Sequence, residues 1–308
     1  MNSAISANRR LLFLIAFFVP ATAFADAAAT LLIHQALGKE LSGRRRGNVE
    51  LMASAYDENR FVVYDGGGRV DPVGWRVVHE SGSEYARALE EDLGARKYDI
   101  QRTYLLVNVL EGRAFVAVVD SGSVIDRATG SAGQYWVNDL WLFEKRDEEW
   151  FATGFIHDIG DSTAGRFAGD VAVDAGLAGF LEEEAQGWRD GSAGSLAGLY
   201  DDGITVVDAY GLVTPASWIV VFSGEKVWNE WLGNRLGLTT YDIEREVLHT
   251  SMGVSGTEAL AVAREKVTVG HTLGDATHAA DRHVLWTLSK RGGSWRVTNL
   301  FWHLRRPD

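Results

Sequence analysis

An internal repeat constrains the fold of this chain more than any other feature of its sequence. Four short matches occur in the same order in both halves, at separations of 143 to 145 residues. They are Ala55–Asp57 with Leu199–Asp201, Lys97–Ile100 with Thr240–Ile243, Trp141–Lys145 with Trp286–Lys290, and Trp150 with Trp295. Constant order and spacing predict two similar domains of about equal length.

The predicted domains cover residues 28–159 and 175–305. Residues 160–174 between them are rich in Gly, Ala and Asp and have no sustained apolar period, which is typical of a linker or a short helix. A total of 308 residues also fits two domains.

Each half has the same predicted order of elements. Helical stretches precede a short strand at residues 61–65 or 204–208, and a second helix follows at residues 84–93 or 225–232, with Gly94 and Gly233 as stop signals. Four long strands rich in β-branched and aromatic residues then complete each half. This order predicts the α+β class, with helices packed on a strongly curved antiparallel sheet.

The N-terminal residues are typical of a secretory signal peptide. Arg9 and Arg10 precede an apolar run that ends before Pro20, and the small-x-small motif at residues 23–25 predicts cleavage before Asp26. The apolar run is much shorter than the roughly 20 residues that a spanning helix needs. We therefore expect residues 1–25 to be removed and the product to be periplasmic or secreted, without a membrane anchor.

Composition excludes several classes of function. The chain has 42 acidic and 30 basic residues, a formal charge of -12, and no large Lys/Arg cluster, so we expect no nucleic-acid partner. It has no Cys, which excludes disulfides, thiolate metal sites and a Cys nucleophile. The sequence also lacks short paired-His spacings, a dinucleotide-binding glycine motif, a P-loop and a nucleophile elbow. We expect neither a metal nor a cofactor.

Three segments of the second half resemble the NTF2-like superfamily in its SnoaL-like form, which includes ketosteroid isomerase and scytalone dehydratase. They are LYDDGITVVDAYG at residues 199–211, SGEKVW at 223–228 and GSWRV at 293–297. Through the repeat, the resemblance extends to the first half. It implies two cone-shaped half-barrels whose helices cap one deep pocket each. It also implies pairing through the sheets, either within the chain as a pseudo-dimer or by self-association.

The resemblance implies a catalytic base directly after the first strand. The matching residue in the second half is Asp208 and in the first half Asp65; the alternative for both is an Asp that caps the following turn, favoured for Asp65. The sequence departs from ketosteroid isomerase in two places. Residues 180–188 contain no Tyr, and the late-strand acid falls at or next to His283 and, in the first half, Asn138. Steroid isomerisation is therefore not expected.

Strand alternation predicts a further acidic group in the second pocket. Glu265 lies between Arg264 and Lys266 on an otherwise apolar strand, so the middle residue points away from its neighbours, and the repeat places Asp120 at the same position. The alternative is a strand end or a salt-bridged edge. His249, His157 and His303 lie on late strands, where a structural role is the alternative to catalysis.

Aromatic residues predict a pocket for a small hydrophobic or aromatic ligand, with bulky filling of a curved sheet as the alternative. The chain has 11 Trp and 9 Tyr. The predicted catalytic residues are Asp208, Glu265, His283, His249 and Tyr241. The predicted substrate-binding residues are Trp218, Trp228, Trp302, His303, Tyr104 and His157.

Two functions remain open from the sequence. The first is a cofactor-independent lyase, isomerase or dehydratase that acts by acid–base chemistry on a small apolar, aromatic molecule, with diarylpropane lyases of lignin breakdown as one compatible subclass. The second is a non-catalytic periplasmic binding or scaffold module for a hydrophobic ligand. Because the second half is richer in groups that titrate near neutrality, we expect its pocket to be the principal site, with the pocket of Tyr104 and His157 as the alternative.

The signal peptide is directly testable. Expression of the full sequence in a bacterium with a periplasm should give a mature protein that begins at Asp26, as read by intact-mass spectrometry of the periplasmic fraction. Recovery of uncleaved protein from the cytoplasm would contradict this expectation.

Overall fold

The structure, a computed structural model, describes residues 27–69, 71–160, 173–212, 215–272, 274 and 277–304. The predicted signal peptide and most of the predicted linker lie outside the described residues. Within the described residues, the two units have the same order of α-helices and strands, and the second adds a short 3-10 helix at Pro215–Ser217, so the prediction of two tandem α+β units is confirmed.

The first unit contains α1 (Ala27–Arg46), α2 (Val49–Ala53), β1 (Val62–Asp65), β2 (Arg76–His79), α3 (Gly82–Ala95), β3 (Arg96–Leu110), β4 (Arg113–Asp126), β5 (Ala132–Arg146) and β6 (Glu149–His157). The second unit contains α4 (Ala175–Arg189), α5 (Ala193–Ala197), β7 (Tyr200–Asp208), β8 (Ile219–Ser223), α6 (Glu225–Leu238), β9 (Thr239–Met252), β10 (Glu258–His271), β11 (Thr277–Arg291) and β12 (Ser294–Leu304).

Each unit is built on one six-stranded sheet. The strand orders are β2-β1-β6-β5-β4-β3 and β8-β7-β12-β11-β10-β9. The four long strands form the predicted antiparallel meander, but the sheets are mixed, since β1 runs parallel to β6 and β7 runs parallel to β12. The parallel pairing is possible because the long connection through the third helix carries the chain to the opposite edge of the sheet. The meander starts at that edge and ends beside the first strand of the unit.

The third helix of the second unit is longer than its glycines suggested. It passes through Gly233 and ends at Leu238, so the predicted stop at Gly233 was wrong. Leu232 and Leu236 are both buried at helical spacing, and this burial outweighs the roughly 1 kcal/mol that a mid-helix glycine costs. No helix in the described part of the chain is both long and apolar enough to span a bilayer.

The two faces of each sheet have different partners. The helices cover one face and enclose an apolar core, which we call the first cup in the first unit and the second cup in the second unit. The opposite faces of the two sheets pack against each other in a third core that contains residues of both units. There Phe115 of the first unit stacks on Trp218 of the second, with ring centroids 6.3 Å apart.

The contact between the units is reciprocal. The backbone N–H of Val77 donates to Ser251 Oγ at 3.1 Å, and the N–H of Val220 donates to Asn108 Oδ1 at 2.8 Å. The two donors are equivalent positions of the repeat, 143 residues apart, and so are the two acceptors. Such exchange is the property of a two-fold interface, so the predicted intramolecular pseudo-dimer is confirmed.

A bulge near the end of the first long strand makes this exchange possible. In β3 an extra residue, Leu105, interrupts the pairing with β4, and in β9 the equivalent Leu248 interrupts the pairing with β10. A one-residue insertion moves every later side chain to the other face of the sheet. Asn108 and Ser251 therefore face the partner unit instead of the cups.

The inter-unit contact includes one carboxyl group with an unusual environment. Glu258 lines a cavity of about 30 Å³ between the sheets and accepts a hydrogen bond from Ser289 Oγ at 2.7 Å. Burial, helped by the nearby Glu80 and Asp201, raises the pKa of Glu258 to about 7 against the opposing effects of Ser289 and Arg291. Glu258 is therefore partly neutral at physiological pH.

This raised pKa predicts a pH dependence of stability. Between the ordinary value of 4.5 and about 7 the unfolded chain loses the Glu258 proton while the folded chain keeps it. The free energy of unfolding should therefore fall by roughly 3 kcal/mol from this group as pH rises across that range. Urea unfolding at several pH values should show a flatter profile for Glu258→Gln than for the natural protein, while the exposed Glu90→Gln keeps the natural slope. Parallel profiles for all three proteins would contradict the prediction.

Candidate functional site

A buried carboxylate–arginine–carboxylate triad lies inside the first cup. Arg102 Nε donates to Asp120 Oδ1 at 2.7 Å, and the terminal nitrogen Nη2 of Arg102 lies 2.8 Å from Glu40 Oε2. The guanidinium carbon stacks 5.6 Å above the ring of Trp141. The triad joins α1 to β3 and β4 and fills the centre of the cup.

The second cup contains the same triad at equivalent positions. Arg245 Nε donates to Glu265 Oε1 at 2.7 Å, Arg245 also pairs with Glu184 on α4, and its guanidinium carbon lies 4.7 Å from the ring of Trp286. Glu184 accepts two further bonds, from Trp188 Nε1 and the Tyr200 hydroxyl. Every charged group of the triad has a charged partner.

Glu265 also pairs with a second arginine. Arg282 Nε donates to Glu265 Oε2 at 2.8 Å. Burial alone would raise the pKa of Glu265, but the charges and hydrogen bonds of Arg245 and Arg282 outweigh it and hold the pKa below its ordinary value. Glu265 faces the cup interior, and a carboxylate held ionised by two arginines is a weak proton acceptor.

The cups are filled by these side chains and by aromatic rings. Two cavities among the described residues lie outside the cups. One is the small inter-unit cavity; the other, of about 350 Å³, lies at the ends of β9, β10 and β11, lined by Asp242, Glu244, Lys266, Val267, Thr268, Ala279, Ala280 and Asp281. Reactive groups accessible to a ligand must therefore be sought at the mouths of the cups.

An aspartate–histidine pair lies at the mouth of the second cup. His303 Nδ1 is 2.9 Å from Asp208 Oδ1, and the backbone N–H of Tyr210 donates to the same oxygen at 2.8 Å. Asp208 thus both caps the turn and holds the imidazole. A carboxylate can only accept, so Nδ1 of the neutral ring carries the proton and Nε2 keeps its lone pair. The His303 side chain is 41% exposed, whereas that of Asp208 is 12% exposed.

The backbone of His303 is in an uncommon conformation. Its φ of 51° lies in the left-handed region, which is rare for residues other than glycine. As a result, Trp302 and His303 both contact the second cup although they are successive residues of one strand: Trp302 lies in the apolar core and His303 reaches Asp208. Asp158, at the equivalent position of the first unit, has a similar φ of 58°, so this conformation belongs to the fold that both units share.

Aromatic side chains form the wall next to this pair. Trp302 lies 5.6 Å from Trp231 and 5.3 Å from Trp228, and Phe222 lies 4.8 Å from Trp231, all between ring centroids. Trp231 and Phe222 are only half-buried, so the aromatic wall reaches the surface. A flat apolar molecule could stack there beside His303.

The first cup has a different aspartate–histidine pair. His157 Nδ1 lies 2.9 Å from Oδ1 of Asp139, a buried residue of β5 that also accepts from the N–H of Asp158. Backbone pairing places His157 at the position of Trp302, not of His303. Asp139 was missed in the sequence because it directly follows Asn138, which faces the other side and donates to the Ile159 carbonyl at 2.8 Å.

Three predicted site residues lie on the inter-unit face of the second sheet. His249 Nε2 is 2.8 Å from the carbonyl of Trp75 in the first unit, because the bulge at Leu248 turns its side chain away from the cup. Trp218 is buried in the inter-unit core. His283 follows Arg282, which faces the cup, and so lies on the opposite face. None of the three contacts the pair of Asp208 and His303 among the described contacts.

The remaining predicted residues are dispersed. The Tyr241 hydroxyl accepts from Arg235 Nε at 2.7 Å, and the Tyr241 ring packs 5.0 Å from Trp188 in the second cup. Tyr104 packs on His34 in the first cup, with ring centroids 4.1 Å apart. Asp65 accepts from the Gly67 N–H at 2.7 Å, which is the turn-capping geometry. In the described part of the chain, no group of three or more acidic or His side chains could hold a metal ion.

Comparison with known proteins adds similarity in fold. No protein-family model and no curated protein matches the chain. A ketosteroid isomerase-like protein from Erwinia carotovora is 18% identical, with 41% of this chain and 92% of that protein covered and a TM-score of 0.35. An NTF2-like protein of unknown function from Pseudomonas putida is 20% identical, with 43% and 85% covered and a TM-score of 0.32.

A third similar structure is a candidate scytalone dehydratase from Novosphingobium aromaticivorans. It is 14% identical, with 41% of this chain and 79% of that protein covered and a TM-score of 0.32. The structural neighbours are thus isomerase-like and dehydratase-type proteins and proteins without known function.

The fully paired environment of Glu265 predicts a structural effect of its removal. Glu265→Gln leaves Arg245 and Arg282 buried without this shared carboxylate, so the free energy of unfolding should fall by about 3–5 kcal/mol in chemical denaturation. Asp281→Asn is the matched control, because it breaks the exposed pair with Arg264 on the neighbouring strand and should change stability much less. Equal effects of the two substitutions would contradict the structural role of Glu265.

Proposed function

We propose that this protein is a cofactor-independent acid–base catalyst, of the lyase, isomerase or dehydratase type, that acts on a small aromatic molecule at the mouth of the second cup. The observation that carries the proposal is the pair of Asp208 and His303, in which the aspartate fixes the proton on Nδ1 and leaves Nε2 free to accept one.

In this proposal each group has one role. His303 Nε2 takes a proton from the bound molecule and returns it at another atom or to a leaving group. Asp208 holds the imidazole in the required tautomer and stabilises the imidazolium that forms. Glu265 keeps Arg282 in place and does not itself accept a proton, which differs from the role that the sequence predicted for it.

The aromatic wall supports the substrate class. Trp231, Phe222 and Trp302 offer ring faces next to His303, and such faces bind flat apolar bodies. Diarylpropane-type compounds from lignin belong to this class and are one group of candidates. Export to the periplasm, as the N-terminal sequence predicts, would bring the protein to such compounds outside the cytoplasm.

The proposal is tested by turnover and substitution. Purified protein is incubated with a panel of aromatic and polyketide-like compounds, and the products are identified by mass spectrometry. For any compound that reacts, His303→Asn should lower the rate at least about 100-fold, because general base catalysis contributes that much, and Asp208→Asn should lower it strongly. His157→Asn, which alters the pair of the first cup, is the control and should leave the rate near that of the natural protein.

Full activity in both His303→Asn and Asp208→Asn would refute the proposal. Loss of activity in His157→Asn alone would assign the reaction to the first cup.

A second candidate function is a non-catalytic binding or scaffold module for a hydrophobic ligand. The observation that favours it is the filling of both cups by paired charges and aromatic rings, which is the property of a stable core. Saturable binding of aromatic compounds with no product from any of them would support this function over catalysis.

A further inference from the structure

Arg282 is placed differently from the other arginine of its cluster. Arg245 is enclosed, with a side chain 2% exposed, and it bonds to Glu184, Glu265 and the Leu181 carbonyl. Arg282 lies at the mouth, with a side chain 17% exposed. Its guanidinium carbon is 5.9 Å from the ring of Trp302, so it lies on the same aromatic wall as His303.

The first cup has its second arginine on a different element. The position opposite Asp120 on the neighbouring strand is Val137, and the position opposite Glu265 is Arg282. In the first cup the second arginine is Arg44 of α1, which is buried and donates from Nε to Glu40 Oε1 at 3.1 Å. The second cup instead places its second arginine, Arg282, on the sheet at the mouth.

The guanidinium of Arg282 keeps donor capacity toward the mouth. Glu265 accepts from Nε and lies 2.8 Å from one terminal nitrogen, while the other terminal nitrogen is 3.5 Å from His303 Nε2, which is long for a hydrogen bond. An arginine has five N–H donors in a planar fork. Among the described residues, these contacts leave donors of the terminal nitrogens available on the side that faces His303.

The donors of Arg282 that face the mouth favour an acceptor oxygen as its further partner. Glu184 and Glu265 balance Arg245 and Arg282, and Asp208 is engaged by His303 and by the Tyr210 N–H. Arginine donors bind oxygen acceptors, bidentately where the acceptor is a carboxylate. An oxygen held there would lie next to Nε2 of His303, with the body of its molecule against Trp302.

We propose that Arg282 determines the specificity of the second cup by binding an acceptor oxygen, in a carboxylate or a carbonyl group, of a flat aromatic ligand. The proposal rests on the site of the proposed function and names its substrate class.

Three probes with one carbon skeleton test this selection: cinnamate, benzylideneacetone and β-methylstyrene, which carry a carboxylate, a ketone and no oxygen. Their binding to the full protein is measured by saturation-transfer NMR titration. The natural protein should bind at least one oxygen-bearing probe about tenfold or more tightly than the hydrocarbon. The probe that is preferred distinguishes a carboxylate from a carbonyl ligand.

Substitution of Arg282 distinguishes a role in ligand selection from a purely structural role. Arg282→Met should abolish the preference while binding of β-methylstyrene persists, and Arg282→Lys should retain part of it. Arg264→Met, which removes an exposed arginine of the adjacent strand outside the cup, should keep the full preference. A structural role alone would weaken all three probes equally, and that result would overturn the proposal. An unchanged preference in Arg282→Met, or no binding of any probe, would overturn it too.

The outcome is distinguishable from that of the proposed function. Arg282-dependent binding of the oxygen-bearing probes without turnover of any compound would support the specificity role while catalysis fails. Turnover that depends on His303 but is equal in Arg282→Met would support catalysis and overturn the specificity role.

Discussion

The buried carboxylate–arginine–carboxylate triads determine what space each unit leaves for chemistry. Removing charges from water costs several kcal/mol per ion, and the cost is offset only when every charge is paired and hydrogen-bonded. Arg102 and Arg245 meet this condition, each between two carboxylates and above a tryptophan ring. They anchor the first helix of each unit to the sheet. Because they occupy the centre of the cup, the accessible polar groups are those at its mouth.

The two units share this interior and differ at the mouth. Val137 and Asp139 of β5 correspond to Arg282 and Val284 of β11. At the first of these cup-facing positions the second unit has arginine in place of valine, and at the next it has valine in place of aspartate. The strand ends differ as well, since His157 and Asp158 correspond to Trp302 and His303. Each unit nevertheless has an aspartate–histidine pair, built from non-equivalent residues. The duplicated scaffold thus keeps a buried carboxylate–arginine–carboxylate triad in each unit and differs in the groups at the mouth.

The sequence predicted the architecture well because the repeat and the strand patterns are long-range signals that tolerate local error. It also predicted that Glu265 points inward, since alternation holds over a regular strand. It misplaced His249, because the bulge at Leu248 reverses alternation and leaves no mark in the pattern of residues. It predicted a binding role for His303 but not the pairing of His303 with Asp208. A left-handed φ at a histidine near the end of the last strand cannot be read from composition. Asp139 directly follows Asn138, the residue that was considered from the sequence. The register of β5 determines that Asp139, and not Asn138, faces the cup.

The reciprocal contact between the sheets has a consequence for how the two units can evolve. In a dimer of separate identical chains, any substitution near the two-fold axis meets its own copy. Arg113 and Glu258 occupy equivalent positions of the repeat and line the same inter-unit cavity, so a dimer of second units would bring two buried carboxylates together, and a dimer of first units two arginines. Within one chain the two units associate at any protein concentration, and their facing surfaces can become complementary to each other. At this position the two units are complementary in charge, whereas two copies of either unit would not be.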